Sequence, residues 1–326
     1  MKVRITQLDG KLPNIALMKL SAYHKSIGDE VFFSKSPMRD MFEPEFGLVY
    51  GSCIFGFSQD NLKAFLREFP NAIVGGTGTT EKHNVEDIIG NFHDLDYSIY
   101  PEVDYSIGFL QRGCRLKCKF CVVPEKEGKP RSNQTAHQLW RGDPYPKKLH
   151  ILDNDFFGNP EWQHRIEEII EGKFQICLSQ GINVRLINDE QAVHLARVNY
   201  RDTNFKSKRL YTAWDNLGHE RIFFDGIDRL EKAGINPSHI MAYMLIGYDP
   251  KETWELIFER FNKMVERKIM PYPMVFNNQR KDLKAFQRWV VTGQYRWIPW
   301  SEYPYNPQLR GVKYAGEIDI YGKEGA

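Results

Sequence analysis

Along the last two thirds of the chain, short runs of β-branched and aromatic residues alternate with longer segments whose apolar residues recur at helical spacing. This rhythm predicts strands over residues 104–111, 148–156, 174–179, 209–214, 239–246 and 272–276. Between them it predicts helices over 133–141, 161–171, 189–198, 219–232 and 251–268. Local chemistry supports the boundaries. Asn159 and Pro160 suit the cap and first position of the second helix, and Gly234 suits the end of the fourth. Asp249-Pro250-Lys251-Glu252 has capping-box spacing for the fifth, and Asp189 reads as a cap for the third. Six strands alternating with helices imply parallel βα units, which right-handed crossovers roll into an open or closed barrel.

The first 98 residues read as a separate unit. Strands are expected over 3–7, 31–34, 48–55 and 72–74, with helices over 14–25 and 60–68, making a small Rossmann-like α/β layer. Residues 94–102, with Pro101, read as the linker. After residue 278, Leu283, Phe286, Trp289 and Val290 sit at helical spacing, as the inner face of a helix closing the barrel.

Composition adds few constraints. The chain has 326 residues, 42% of them hydrophobic and 13% aromatic, enough for a substantial core. Its formal net charge of +2 gives no global pull toward nucleic acid or membrane. No apolar run approaches the about 20 residues of a spanning helix, and no signal segment is evident at the N-terminus. A membrane partner is therefore not expected. Five cysteines, three of them in one loop, make no disulfide framework, so a reducing, cytoplasmic setting is expected.

Those three cysteines carry the chemistry. Cys114, Cys118 and Cys121 have C-x3-C-x2-C spacing, with Phe120 just before the last. A cubane cluster normally takes four thiolates, so three leave one iron without a protein ligand. A structural zinc site would need a fourth ligand from His137, Cys53 or Cys177 and lacks the usual second C-x2-C pair. In parallel α/β structures, ligands sit at the carboxyl ends of the strands. Those ends are polar here: Asp153-Asn154-Asp155, Ser179 to Arg185, Trp214-Asp215-Asn216, Ile246-Gly247-Tyr248 and Asn277-Asn278.

The cysteine spacing resembles that of the radical S-adenosylmethionine (SAM) superfamily. The resemblance implies a partial (β/α)6 TIM-type barrel, a [4Fe–4S] cluster held by Cys114, Cys118 and Cys121, and SAM chelated to the open iron. One electron, from an external donor such as flavodoxin or ferredoxin, would cleave SAM to a 5′-deoxyadenosyl radical that abstracts hydrogen from substrate. It also implies SAM contacts at the strand ends. Asp153 or Asp155 would meet the methionine amino group, and Gln180, Asn183, Arg185 and Asp215 the ribose and carboxylate. Ile246 and Gly247 would pack on adenine, with the backbone of Phe120 at its edge.

Pro124, Gly128, Arg131 and Ser132 resemble the stretch after the cluster in the methylthiotransferase and cobalamin-dependent branches. A methylthiotransferase would carry three further N-terminal cysteines, and only Cys53 is present. The first 98 residues resemble the cobalamin-binding domains fused to many of these enzymes. Gly75, Gly76 and Gly78 allow close approach of a ligand, but an Asp-x-His-x-x-Gly motif is missing, so a degenerate domain is expected. Other readings are a cobalamin-dependent methyltransferase, a metal-stabilised binding protein without turnover, and a radical enzyme acting on nucleic acid. The last draws on residues 280–310, where Phe286, Trp289, Tyr295, Trp297, Trp300, Tyr303 and Tyr305 interleave with Arg280, Lys281, Lys284, Arg288 and Arg296.

Overall fold

The structure is a computed structural model describing residues 1–80 and 83–307. Residues 308–326, part of the expected C-terminal extension, lie outside it. The chain is mixed α/β with parallel sheets and divides into two compact units, Met1–Asp104 and Tyr105–Ala326.

The first unit runs β1 (Lys2–Gln7), α1 (Ile15–Ser26), β2 (Glu30–Ser34), β3 (Leu48–Ser52), α2 (Gln59–Glu68), β4 (Ile73–Gly75) and α3 (Val85–Ile89). Its strands form one parallel sheet in the order β2-β1-β3-β4. Asn14 caps α1 by accepting the Leu17 N–H at 3.2 Å. Leu17 and Leu20 then pack with Val3, Ile5 and Tyr50. Residues 94–102, expected as linker, are tied into this unit. Tyr100 is buried and donates its hydroxyl to Gln7 Oε1 at 2.7 Å, and Asp96 accepts from Ser21 at 2.6 Å.

The glycine turn after β4 packs on the chain itself. Gly76 has φ +110°, and a Cβ there would collide with the Cys53 carbonyl. Cys53 N–H donates to Gly75 O at 3.0 Å and Gly78 N–H to Cys53 O at 3.0 Å. The close approach that glycine permits is thus taken by the 53–55 segment.

In the second unit, β5 (Ser106–Gly108) is followed by β6 (Gln111–Arg112), α4 (Val123–Glu127), β7 (Arg131–Ser132) and α5 (Ala136–Leu139). Next come β8 (Lys148–Ile151), α6 (Trp162–Glu171), β9 (Gln175–Cys177), α7 (Asp189–Arg197) and β10 (Asn199–Tyr200). The unit continues with β11 (Leu210–Ala213), α8 (Glu220–Lys232), β12 (Ile240–Ile246), α9 (Trp254–Glu266), β13 (Met270–Val275) and α10 (Lys281–Val291). Two parallel sheets result, β10-β9-β8-β5 and β11-β12-β13. They are stitched together past β9, where Ile182 N–H donates to Tyr211 O at 2.8 Å and the Tyr243 hydroxyl to Ser179 O at 2.8 Å.

Strand β12 shows how the layers are made. Ile240, Ala242, Met244 and Ile246 are buried in the large core with the helices, while Met241, Tyr243 and Leu245 alternate onto the other face, half-buried. Helix α10 joins that core through Leu283, Phe286, Trp289 and Val290, as the helical spacing predicts.

Three caps differ from expectation. Helix α6 starts at Trp162 with Glu161 at the cap position, and Asn159 Oδ1 instead accepts the Glu161 N–H at 3.0 Å and the Ser132 hydroxyl at 2.7 Å, which leaves Pro160 ahead of the helix. Helix α9 is capped by Thr253, which accepts the Leu256 N–H, because Glu252 turns inward to Arg260 and the Gly247 N–H. Helix α7 is capped by Asn188 in a capping box with Gln191, leaving Asp189 in the first turn.

Candidate functional site

The three spaced cysteines lie on a loop closed at its base by the antiparallel pair β6–β7, with Gln111 opposite Ser132 and Arg112 opposite Arg131. The loop is held from inside. Gln111 Nε2 donates to the carbonyls of Arg112 and Gly113, each at 2.9 Å. The Glu127 carboxylate receives the Gly113 N–H at 3.0 Å and pairs with Arg112 at 2.9 Å, while Asn154 Nδ2 donates to it at 3.2 Å. Gly113 has φ +88°, and a Cβ there would collide with the Lys129 carbonyl. That close crossing lets Cys114 N–H reach Gly128 O at 3.2 Å.

All three thiols are half-buried and free. Cys114 Sγ accepts the Leu116 N–H at 3.4 Å, and the Cys121 N–H closes a turn onto Cys118 O at 3.0 Å. Burial pushes the Cys114 thiol up, and Asp155, Cys118 and Cys121 push it further. Among the described residues, no three His, Cys, Asp or Glu side chains already stand as a ready-made metal-binding group. The zinc alternatives lead elsewhere. His137 Nδ1 is bonded to Glu168 at 2.9 Å, and Cys177 is buried on β9 with its thiol pushed up to about 12.

The strand-end residues divide by what they already hold. Asp155 is fully buried and taken by Arg115, which donates Nε to Oδ2 at 2.7 Å, Nη2 to Oδ1 at 2.8 Å and its backbone N–H to Oδ2 at 3.0 Å. Asp153 is also buried. Its Oδ1 accepts from Leu110 N at 2.8 Å and Gln111 N at 3.1 Å, whereas Oδ2 has no partner. Burial outweighs those two donors and raises its carboxyl to about 8.

Past β9 and β11, polar atoms are left over. Asn183 Nδ2 and Arg185 Nε are buried without partners, and Arg185 Nη1 lies 3.2 Å from His219 Nδ1. Asp215 accepts the Leu245 N–H at 2.9 Å, and burial raises its carboxyl against the pull of that N–H and of Arg260, Arg185 and His219. Unsatisfied buried polar groups call for a partner such as water, an ion or a ligand, and what sets Asn183 Nδ2 and Arg185 Nε apart from Arg165 Nε or Trp254 Nε1, which are equally unpaired, is their place past the strand ends. Gln180 is exposed.

At the end of β12, Gly247 has φ +74° and donates its N–H to Glu252 at 2.7 Å. Ile246 presents only its main chain, which accepts the Phe276 N–H at 3.0 Å, because its side chain is fully buried on the helical side. The cysteine loop touches this edge. Phe120 meets Tyr248 edge-on with ring centroids 5.4 Å apart, and Tyr248 meets Phe276 edge-on at 4.9 Å. The structure therefore gathers Cys114, Cys118, Cys121, Asp153 and Asp155 around one loop, and links Phe120 to the strand carrying Ile246 and Gly247. Asn183, Arg185 and Asp215 form a second group at the ends of β9 and β11.

Sequence reasoning passed over Arg115, Glu127, Arg260 and the Phe120–Tyr248–Phe276 ladder. Buried Arg260 donates to the carbonyls of Trp214 at 3.1 Å and Leu245 at 3.0 Å and pairs with Glu252, fixing two strand ends from helix α9. An arginine amid the apolar face of a helix was the available signal. No protein-family model, curated protein or solved structure matches the chain.

Proposed function

We propose that this chain is a radical SAM enzyme whose two parallel sheets are arcs of one partial (β/α)6 barrel, with the cysteine loop at its mouth. The donor set fits a three-thiolate cubane site. The three sulfurs share one pinned loop, and three thiolates are one fewer than the four of a closed tetrahedral set or a fully ligated cubane. When bound, the cluster and SAM supply a one-electron C–S cleavage that yields a 5′-deoxyadenosyl radical able to take hydrogen from substrate.

The chain's own part is positional. Cys114, Cys118 and Cys121 would hold the cluster, and Asp155 and Glu127 keep their loop in place through Arg115, Gly113 and Arg112. Asp153 Oδ2, Asn183 Nδ2 and Arg185 Nε are unspent donors and acceptors suited to the zwitterionic and ribose groups of SAM. Gly247 and the Phe120 edge would border adenine, and an external electron donor of the flavodoxin or ferredoxin kind would serve the cluster. The observation that carries the reading is the stabilised three-thiol loop placed at the carboxyl ends of parallel strands.

The test is anaerobic reconstitution with iron and sulfide, followed by assay of 5′-deoxyadenosine after SAM and a strong reductant are added. A variant with all three cysteines replaced by alanine runs alongside. Product from the native protein alone is expected; a folded native protein that loads zinc and forms none overturns the reading.

A further inference from the structure

The proposed radical site is ringed by a surface that its initiation chemistry does not use. Between residues 112 and 131 the chain has seven Lys or Arg against two Asp or Glu, although the whole protein carries only +2. Arg112 and Arg115 are paired inward, but Lys117 and Lys119 stand exposed on the cysteine loop with no carboxylate partner among the described residues. Helix α10 begins just past the carboxyl end of β13, hence at the same end of the strands. Its Lys281 and Lys284 are exposed and form no ion pair among the described residues, while the acid of its first turn, Asp282, is buried against Arg280.

Between these two basic stretches runs the ring ladder. Phe120, Tyr248 and Phe276 are 39%, 37% and 54% exposed, so the edge-to-face contacts between them leave ring surface open to solvent. Large apolar side chains grouped at a polar rim mark an interaction site. An acidic protein would answer the lysines but has no need of open rings, whereas a nucleotide chain answers both, with phosphates for the cations and bases for the rings.

Resting on the radical reading for the chemistry that follows, we propose that this rim binds single-stranded nucleic acid, and that the substrate is a nucleotide within such a strand. Lys117, Lys119, Lys281 and Lys284 take backbone phosphates, and Phe276 and Tyr248 stack unpaired bases. The single strand is required because a base inside a duplex offers no free face to the ladder and cannot reach a site behind the cysteine loop.

The experiment is fluorescence anisotropy of the full-length protein with a labelled single-stranded RNA of about 12 nucleotides, without cluster or SAM. Neutralising four phosphates predicts that log affinity falls against log salt with a slope of about −2.8, and that Lys117→Ala with Lys119→Ala lowers its magnitude by about 1.4. Phe276→Ala should weaken binding about tenfold at constant salt. No binding of single-stranded RNA or DNA up to about 100 μM at low salt overturns the proposal. So does an affinity that Phe276→Ala leaves unchanged or that polyglutamate displaces as well as unlabelled RNA does. Because this assay is independent of 5′-deoxyadenosine formation, the radical reading and the nucleic-acid reading can fail separately.

Discussion

Arg115 and Asp155 form a doubly hydrogen-bonded ion pair, at 2.7 and 2.8 Å, that fastens the residue after Cys114 to the loop following β8. The carboxylate is fully buried and the guanidinium only partly exposed, so removing one charge strands the other. Asp155→Asn is expected to cost about 3 kcal/mol of stability, since breaking such pairs costs about 3–5 kcal/mol and Arg115 retains some water. Iron content after reconstitution should fall further than global stability does. Denaturant titration and iron analysis of the same preparation check this; unchanged iron loading would show that the pair does not position the cysteines.

Gly113 tests the loop from its other side. With φ +88° and no room for a Cβ beside the Lys129 carbonyl, Gly113→Ala must open the crossing that places Cys114. The strain is confined to a loop outside the main core. Loss of most iron binding with a melting temperature lowered by only a few degrees is expected, read by iron analysis and calorimetry.

Much of this arrangement was legible before the structure, and the remainder divides by physical cause. Elements with long apolar periods, such as β12, α8 and α9, declared themselves, because burial against a large core fixes them locally. The two-residue strands β6 and β7 and the five-residue helices α3 and α4 did not, since closing contacts from distant residues determine them. The cysteines were legible from spacing alone. The Arg115–Asp155 pair spans forty residues and leaves no local trace. Ile246 shows a finer point: counting by twos from Ile240 along β12 puts its side chain on the helical face, so only its backbone can reach a ligand at the strand end.

Gly226 inverts the usual helix rule. A glycine inside a helix normally costs about 1 kcal/mol relative to alanine, so Gly226→Ala in the middle of α8 would ordinarily stabilise. Here a Cβ would collide with the Val184 carbonyl, and main chain cannot swing aside as a flexible side chain can. Overpacking should win by about 2 kcal/mol, lowering the melting temperature by about 2–4 °C for each kcal/mol. Arg221→Ala, at an exposed position of the same helix, should stay within about 0.5 kcal/mol. Thermal unfolding of the two variants separates the packing effect from propensity.

His150 and Asp153 bias the acid stability of the second unit in opposite directions. His150 is fully buried, its Nε2 bonded to Ser179 Oγ at 2.7 Å and its Nδ1 without a partner, and burial lowers its pKa to about 4 from 6.5. Between those two values the unfolded chain binds a proton that the fold refuses, so acidification from pH 6.5 to 4 removes up to about 3 kcal/mol. The Asp153 carboxyl, raised to about 8, behaves oppositely: its fold keeps a proton that the unfolded chain loses above 3.8, so stability falls as pH rises through the same window. The native profile over pH 4–6.5 should therefore be flatter than either group alone would make it. His150→Gln should become relatively less stable as pH rises across this window, and Asp153→Asn relatively less stable as pH falls. Urea titrations at several pH values across it measure the slopes, and parallel profiles for all three proteins would show that neither group is held in the buried state described.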